Sequence, residues 1–170
     1  GLLSFLRIAK SLSSYSNKIV FIIVGSVHNS QKSYYERLLS TINREELNNI
    51  FFLGSRIDVR PLLKVMNIYV CSSKNESSPL SVWEAMSMKK AIISNDVGDV
   101  NKFIINNVSG FVVKKDDDAA LMKHLKKLIH NSKLRNTLGK SARKQAKNKL
   151  DLKICATHHL KMYQEIFNHN

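Results

Sequence analysis

Up to Val113, short unbroken apolar runs alternate with segments of helical spacing, and this alternation constrains the fold more than any other feature. The run Lys18-Ile19-Val20-Phe21-Ile22-Ile23-Val24 ends at Gly25. Similar runs are Ile50-Phe51-Phe52-Leu53 before Gly54, Ile68-Tyr69-Val70-Cys71, Ala91-Ile92-Ile93 and Gly110-Phe111-Val112-Val113. They are rich in β-branched and aromatic residues and are bounded by Gly, Ser or Asn. Strands buried on both faces read this way. Between them, residues 2–13, 32–43 and 58–66 carry apolar stripes at helical spacing, and residues 80–88 and 99–106 read as shorter helices. Helix and strand in strict alternation predict βαβ units, hence an α/β fold with a doubly wound, Rossmann-like parallel sheet.

After Val113 the pattern changes. Lys114 to Asp118 reads as a turn, with Asp118 placed to cap a helix over 119–130. Further helices are predicted over 133–149 and 152–167, the last with a buried stripe of Cys155, His159, Met162, Tyr163 and Ile166. No repeat, low-complexity stretch or linker divides residues 1–170, so one domain is expected. The sequence opens on a helix after Gly1, where a crossover helix requires an earlier strand. In the common 3-2-1-4-5-6 order the lacking strand is the central one. A fragment of a longer, two-domain protein is therefore expected. Residues 1–7 lack a basic n-region and a cleavage site, so no signal peptide is expected.

In open α/β sheets, ligands bind beyond the carboxyl ends of the strands. The longest such segment runs from Ser72 to Pro79 and opens onto a helix. Ser78 is placed to cap that helix and Pro79 to occupy its first position. Free N–H groups in its first turn suit an anion such as a diphosphate. Glu76 and Glu84 lie eight residues apart, one in the loop and one about a turn inside the helix. Carboxylates only accept hydrogen bonds and can take both hydroxyls of a ribose or hexose. Stabilisation of a helix N-terminus explains such residues equally well.

The segment Asn75-Glu76-Ser77-Ser78-Pro79-Leu80-Ser81-Val82-Trp83-Glu84-Ala85-Met86 resembles the E-x7-E segment of retaining family-4 glycosyltransferases of the GT-B fold. Phe21 to Gly25 and Ile50 to Gly54 resemble the second strand and the "F-x-G" strand of that family's carboxy-terminal domain. Ala91 to Ser94 with Val97-Gly98-Asp99-Val100, and Asn107 to Val113, resemble two later motifs in the family's order. The resemblance implies the nucleotide-sugar-binding half of a two-domain enzyme that transfers a hexose to a glycan or lipid-linked acceptor with retention. Glu76 would contact the transferred sugar as the catalytic residue. Glu84 would bind the ribose, and Ser77, Ser78, Pro79 and Leu80 would hold the diphosphate or sugar. Gly54, Ser55 and Arg56 would line the base. The donor would be UDP-, GDP- or ADP-linked, with no cofactor and no metal. An amino-terminal domain would supply the acceptor site. The sequence departs from the family at Ser77, at Lys89-Lys90-Ala91 and at Asn67, and it lacks the family's diphosphate-neutralising Arg and Lys stretch. The isolated chain is accordingly expected to be inactive.

The formal net charge is +14, from 27 Lys and Arg against 13 Asp and Glu. Residues 114–170 hold 14 of these cations and 5 of the acids, so the excess lies in the terminal helices. Lys140, Arg143, Lys144, Lys147 and Lys149 are predicted on the outer side of the 133–149 helix, away from the donor crevice. A solvated face explains them; attraction to an anionic membrane surface is the second reading. Nucleic acid ranks lowest, since no recognition motif or interleaved aromatic accompanies the charge. A cytoplasmic protein, peripheral on the membrane, is expected. Two cysteines and six scattered histidines give neither a disulfide framework nor metal-ligand spacing. The contrasting reading is an inactive basic fragment acting as a binding or membrane-surface module.

Overall fold

The computed structural model describes residues 1–13 and 18–168. The elements are α1 (Leu2–Ser13), β1 (Phe21–Ile23), α2 (Lys32–Arg44), β2 (Ile50–Phe52), α3 (Arg60–Val65), β3 (Ile68–Cys71) and α4 (Leu80–Ser87). There follow β4 (Ala91–Asn95), α5 (Val100–Phe103), β5 (Phe111–Val113), α6 (Asp118–His130), α7 (Ser132–Lys149) and α8 (Leu152–Asn168). The chain divides into two compact units, Gly1–Leu62 and Leu63–Asn170.

In the first unit β1 and β2 pair in parallel, Phe21 opposite Ile50 and Ile23 opposite Phe52. The stripe of α1 is buried as its spacing predicts, at Leu6, Ala9 and Leu12. Phe5 meets Phe21 edge to face at 5.5 Å, and Tyr35 of α2 meets Phe52 at 5.4 Å. Such aromatic pairs add specificity to simple area burial. The strands are less buried than continuous apolar runs lead one to expect: Phe51 is 48% exposed. With one hydrogen-bonded neighbour each among the described residues, β1 and β2 have the environment of edge strands.

In the second unit β3, β4 and β5 form a parallel sheet in that order. All five residues of β4 are buried, as the both-faces-covered reading requires. The helices α4, α6 and α7 pack on β4. A side chain cannot fit where α7 crosses the end of α4: a Cβ on Gly139 would lie 2.1 Å from the Lys89 carbonyl oxygen. Arg143 of α7 donates to the Ser87 carbonyl at the end of α4. Arg135 donates to the Leu128 and Ile129 carbonyls at the end of α6, at 2.6 and 3.0 Å. Guanidinium groups placed at C-terminal carbonyls satisfy orphan acceptors and complement the helix dipole.

Three local expectations are corrected. Asp117, not Asp118, caps α6, its carboxylate accepting from the Ala120 N–H at 2.8 Å. The fifth helix is one turn, Val100–Phe103, rather than 99–106, because the chain extends at Ile104. The stripe of α8 is not buried: that helix holds no buried residue, and Met162, Tyr163 and Ile166 are about half exposed. His159 is exposed, and its Nδ1 pairs with the Cys155 carbonyl at 2.7 Å, one turn back on the same helix. Periodicity marks an apolar face, but the element that covers it is a tertiary fact.

Candidate active site

The loop after β3 is held from several sides, which fixes where Glu76 stands. Asn95, at the end of β4, donates to the Ser73 carbonyl at 3.0 Å. Lys74 pairs with Asp116 at 2.5 Å. The Asp99 N–H donates to the Ser77 carbonyl at 3.1 Å. Gly98 has φ +55 and lies so close beneath the loop that a Cβ there would fall 2.2 Å from the Ser77 oxygen. Glycine is required twice over, for the left-handed backbone and for the approach. The motif around Gly98 was visible in the sequence; its bracing of the Glu76–Ser77 peptide is a through-space relation and was not.

The start of α4 differs from expectation. Pro79 occupies the cap position, with φ −74 and ψ 93, and the helix begins at Leu80. Ser78 does not cap it. Its hydroxyl accepts instead from the Trp83 indole N–H at 3.1 Å, and a buried indole claims a partner in this way. Trp83 itself packs edge to face with Phe103 at 4.8 Å, so it is a core residue as its position suggested. The Val82 N–H donates to the Pro79 carbonyl at 2.9 Å. The Leu80 and Ser81 N–H groups take no backbone partner among the described residues, leaving donors open at the helix start.

Glu76 and Glu84 are both exposed, and neither forms a hydrogen bond or ion pair among the described residues. Tyr69 of β3 is half-buried. Its phenol is pushed up to about 12, first by burial, with the charges of Cys71, Glu84 and Glu76 adding to the rise and a hydrogen bond with Ser81 opposing it. Burial leads the rise, and the phenol keeps its proton at any ordinary pH. Tyr69 was read only as part of a strand. Its polar tip is a residue-level feature that strand periodicity does not report.

Glu84 also opens onto a cavity of about 460 Å³ between α4, α7 and the start of α8. Leu80, Trp83 and Glu84 line one side, and Arg143, Lys147 and Leu150 line another. Arg143 and Lys147 were expected on an outer face, away from the chemistry. Arg143 is only half-exposed, and both line the same cavity as Glu84. Lys149 likewise is tied down, its ammonium donating to the Lys102 carbonyl at 3.0 Å.

Gly54, Ser55 and Arg56 are exposed residues of the first unit, in the segment after β2. The Gly25 N–H donates to the Gly54 carbonyl at 3.0 Å, joining the two loops that follow β1 and β2. Just beyond, Arg60 binds Asp58 through two 2.8 Å contacts and holds that carboxyl down at about 2. Among the described residues no three His, Cys, Asp or Glu side chains group as metal ligands.

Parallel strands with flanking helices, a braced carboxylate loop and an open helix start define a Rossmann-like α/β fold. The chain belongs to the family described as "Glycosyl transferases group 1", which it matches over residues 1–145. It is 30% identical over 159 residues to the N,N'-diacetylbacillosaminyl-diphospho-undecaprenol alpha-1,3-N-acetylgalactosaminyltransferase of Campylobacter jejuni, a match that takes in 92% of this chain and 40% of that protein. It is 27% identical over 131 residues to the UDP-Gal:alpha-D-GlcNAc-diphosphoundecaprenol alpha-1,3-galactosyltransferase of Escherichia coli, over 76% of this chain and 32% of that one. The chain thus spans less than half the length of these relatives. Its fold matches Anabaena HepE in complex with UDP, with TM-score 0.85 at 20% identity, over 94% of this chain and 44% of that one. It also matches the carboxy-terminal domain of LpcC from Francisella tularensis, with TM-score 0.82 at 22% identity, over 89% and 80% of the two chains. The fold is that of a GT-B carboxy-terminal domain.

Proposed function

We propose that this chain is the donor half of a retaining hexosyltransferase that uses a nucleoside-diphosphate sugar. The observation that carries the reading is the pair Glu76 and Glu84, exposed and with neither carboxylate in a hydrogen bond or ion pair among the described residues, beside the open start of α4. Glu84 accepts from the ribose hydroxyls, and Glu76 contacts the transferred sugar near its reacting carbon. The free Leu80 and Ser81 amides, with the adjoining Ser77 and Ser78 N–H groups, favour the diphosphate, and Pro79, which has no N–H, shapes the turn beside it. Gly54, Ser55 and Arg56 receive the base. Transfer proceeds with retention and without a resident metal or cofactor. HepE is described with UDP and with UDP-glucose, which supports a nucleotide-sugar partner. An amino-terminal half supplies the acceptor site, and a lipid-linked glycan is the acceptor class that the named relatives suggest.

Calorimetric titration with UDP-, GDP- and ADP-glucose tests the donor site. One of the three binds, and Glu84→Ala weakens it about tenfold to a hundredfold, the cost of losing hydrogen bonds to a charged acceptor. No binding by any of them, together with no effect of Glu84→Ala, overturns the reading. Transfer by the full-length protein, with the anomeric configuration of the product read by NMR, tests retention.

A further inference from the structure

Residues 119–150, which span most of α6 and all of α7, contain ten Lys and Arg and no Asp or Glu. Some of these cations have work inside the fold. Arg135 and Arg143 hold helix-end carbonyls, Lys149 holds the Lys102 carbonyl, and Lys127 sits 5.5 Å over the Phe111 ring. Lys133, Lys140, Lys144 and Lys147 are different. All four are exposed, and none makes a hydrogen bond or ion pair among the described residues. At about 100° per residue they fall within an arc of about 60°, opposite the buried face of Leu138, Gly139, Ala142 and Ala146. The stripe is about 21 Å long at 1.5 Å per residue. It is built at a cost: Lys140 and Lys144 repel at i,i+4, and Lys133 stands in the first turn, where the dipole disfavours a cation. Nothing on α7 offsets that repulsion, because the helix carries no carboxylate.

We propose that this lysine face of α7 docks on an anionic lipid surface. A straight cationic ridge on an 18-residue helix meets a plane of headgroup phosphates along its whole length. Residues 119–150 contain no Phe, Tyr or Trp, so the face lacks the stacking platforms with which proteins hold exposed bases. Among the described residues no helix is long and apolar enough to cross a membrane. The inference rests on the reading above in one respect: an enzyme with a lipid-linked acceptor must work at a bilayer surface.

Sedimentation of the full 170-residue chain with lipid vesicles tests this. It binds vesicles containing about 30 mol% phosphatidylglycerol, not pure phosphatidylcholine, and high salt releases it. Each lysine near the surface contributes about fivefold, so K133Q/K140Q/K144Q lowers partitioning roughly a hundredfold. Lys147 is left in place because it lines the Glu84 cavity. The variant keeps its circular dichroism and its donor affinity, because the substituted side chains are exposed and their ammonium groups hold no partner among the described residues. A control, K32Q/K64Q/K153Q, removes equal charge elsewhere and retains most binding. Equal binding to neutral vesicles, equal loss in both triple variants, or tighter lysine-dependent binding to duplex DNA overturns the proposal. Donor titration on the same samples separates the two readings: vesicle binding that fails while a nucleotide sugar still binds overturns the docking face alone.

Discussion

A Cβ at Gly98 would lie 2.2 Å from the Ser77 carbonyl oxygen and 2.9 Å from that of Glu76. Gly98→Ala must therefore move the loop that carries Glu76 as well as hold alanine at φ +55. A loss of about 1–3 kcal/mol in chemical denaturation is expected, with donor binding weakened although no ligand-contacting side chain has changed. Full donor affinity in a destabilised Gly98→Ala protein would show that the loop does not position the site. Tyr69 offers a second check. Its phenol stands at about 12, above the ordinary 10. The folded state thus holds this proton more tightly than the unfolded chain, so stability falls as pH rises between about 10 and 12 and is unaffected below. Glu76→Gln and Glu84→Gln each bring the Tyr69 value down, as followed by its ring carbon resonances. If neither moves it, the two carboxylates do not share the phenol. The two glutamates themselves were legible, because charged residues at fixed spacing stand out in a sequence. Tyr69 and the Ser78–Trp83 bond were not, because both are contacts across space within residue types that also serve as ordinary strand and turn positions.

At the scale of elements, helix starts were legible to within two residues, α3 beginning at Arg60 rather than at residue 58, and even one residue matters. The run Asp116-Asp117-Asp118 offers several candidate caps, and propensity ranks them alike. The structure selects Asp117, because Asp116 adopts φ +66 and aims its carboxylate at Lys74. Asp117→Ala should cost about 1 kcal/mol and Asp118→Ala distinctly less; thermal unfolding of the two variants decides between them. Gly139 illustrates a signal of another kind. A lone glycine inside a helical pattern reads as a mild defect, yet here it lets α7 reach the Lys89 carbonyl. The exposed face of α8 was read as a core stripe for the converse reason. Its spacing is that of a buried helix, but α8 holds no buried residue, and Met162, Tyr163 and Ile166 of that stripe stand 47%, 53% and 54% exposed.

At the scale of the molecule, the alternation of runs and stripes anticipates the order of elements and the parallel pairing within each of the two sheets. Strands β1 and β2 pair in the first unit, and β3, β4 and β5 pair in that order in the second. Burial could not be read from apolarity alone, since β2 is as hydrophobic as β4 in sequence. Strand β4 has a hydrogen-bonded partner on each side and no exposed residue. Strand β2 has one partner and a half-exposed Phe51. Opening free energies follow buried contact and protected hydrogen bonding, so the two strands should differ in native-state hydrogen exchange. The amides of Ile92 and Ile93 should exchange slowest in the chain, and those of β1 and β2 at least about a hundredfold faster. Equal protection in the two sheets would mean that β1 and β2 are as firmly held as β4. Their apolar runs would then be in the environment the sequence predicted, and the exposure of Phe51 would not be the signature of an edge.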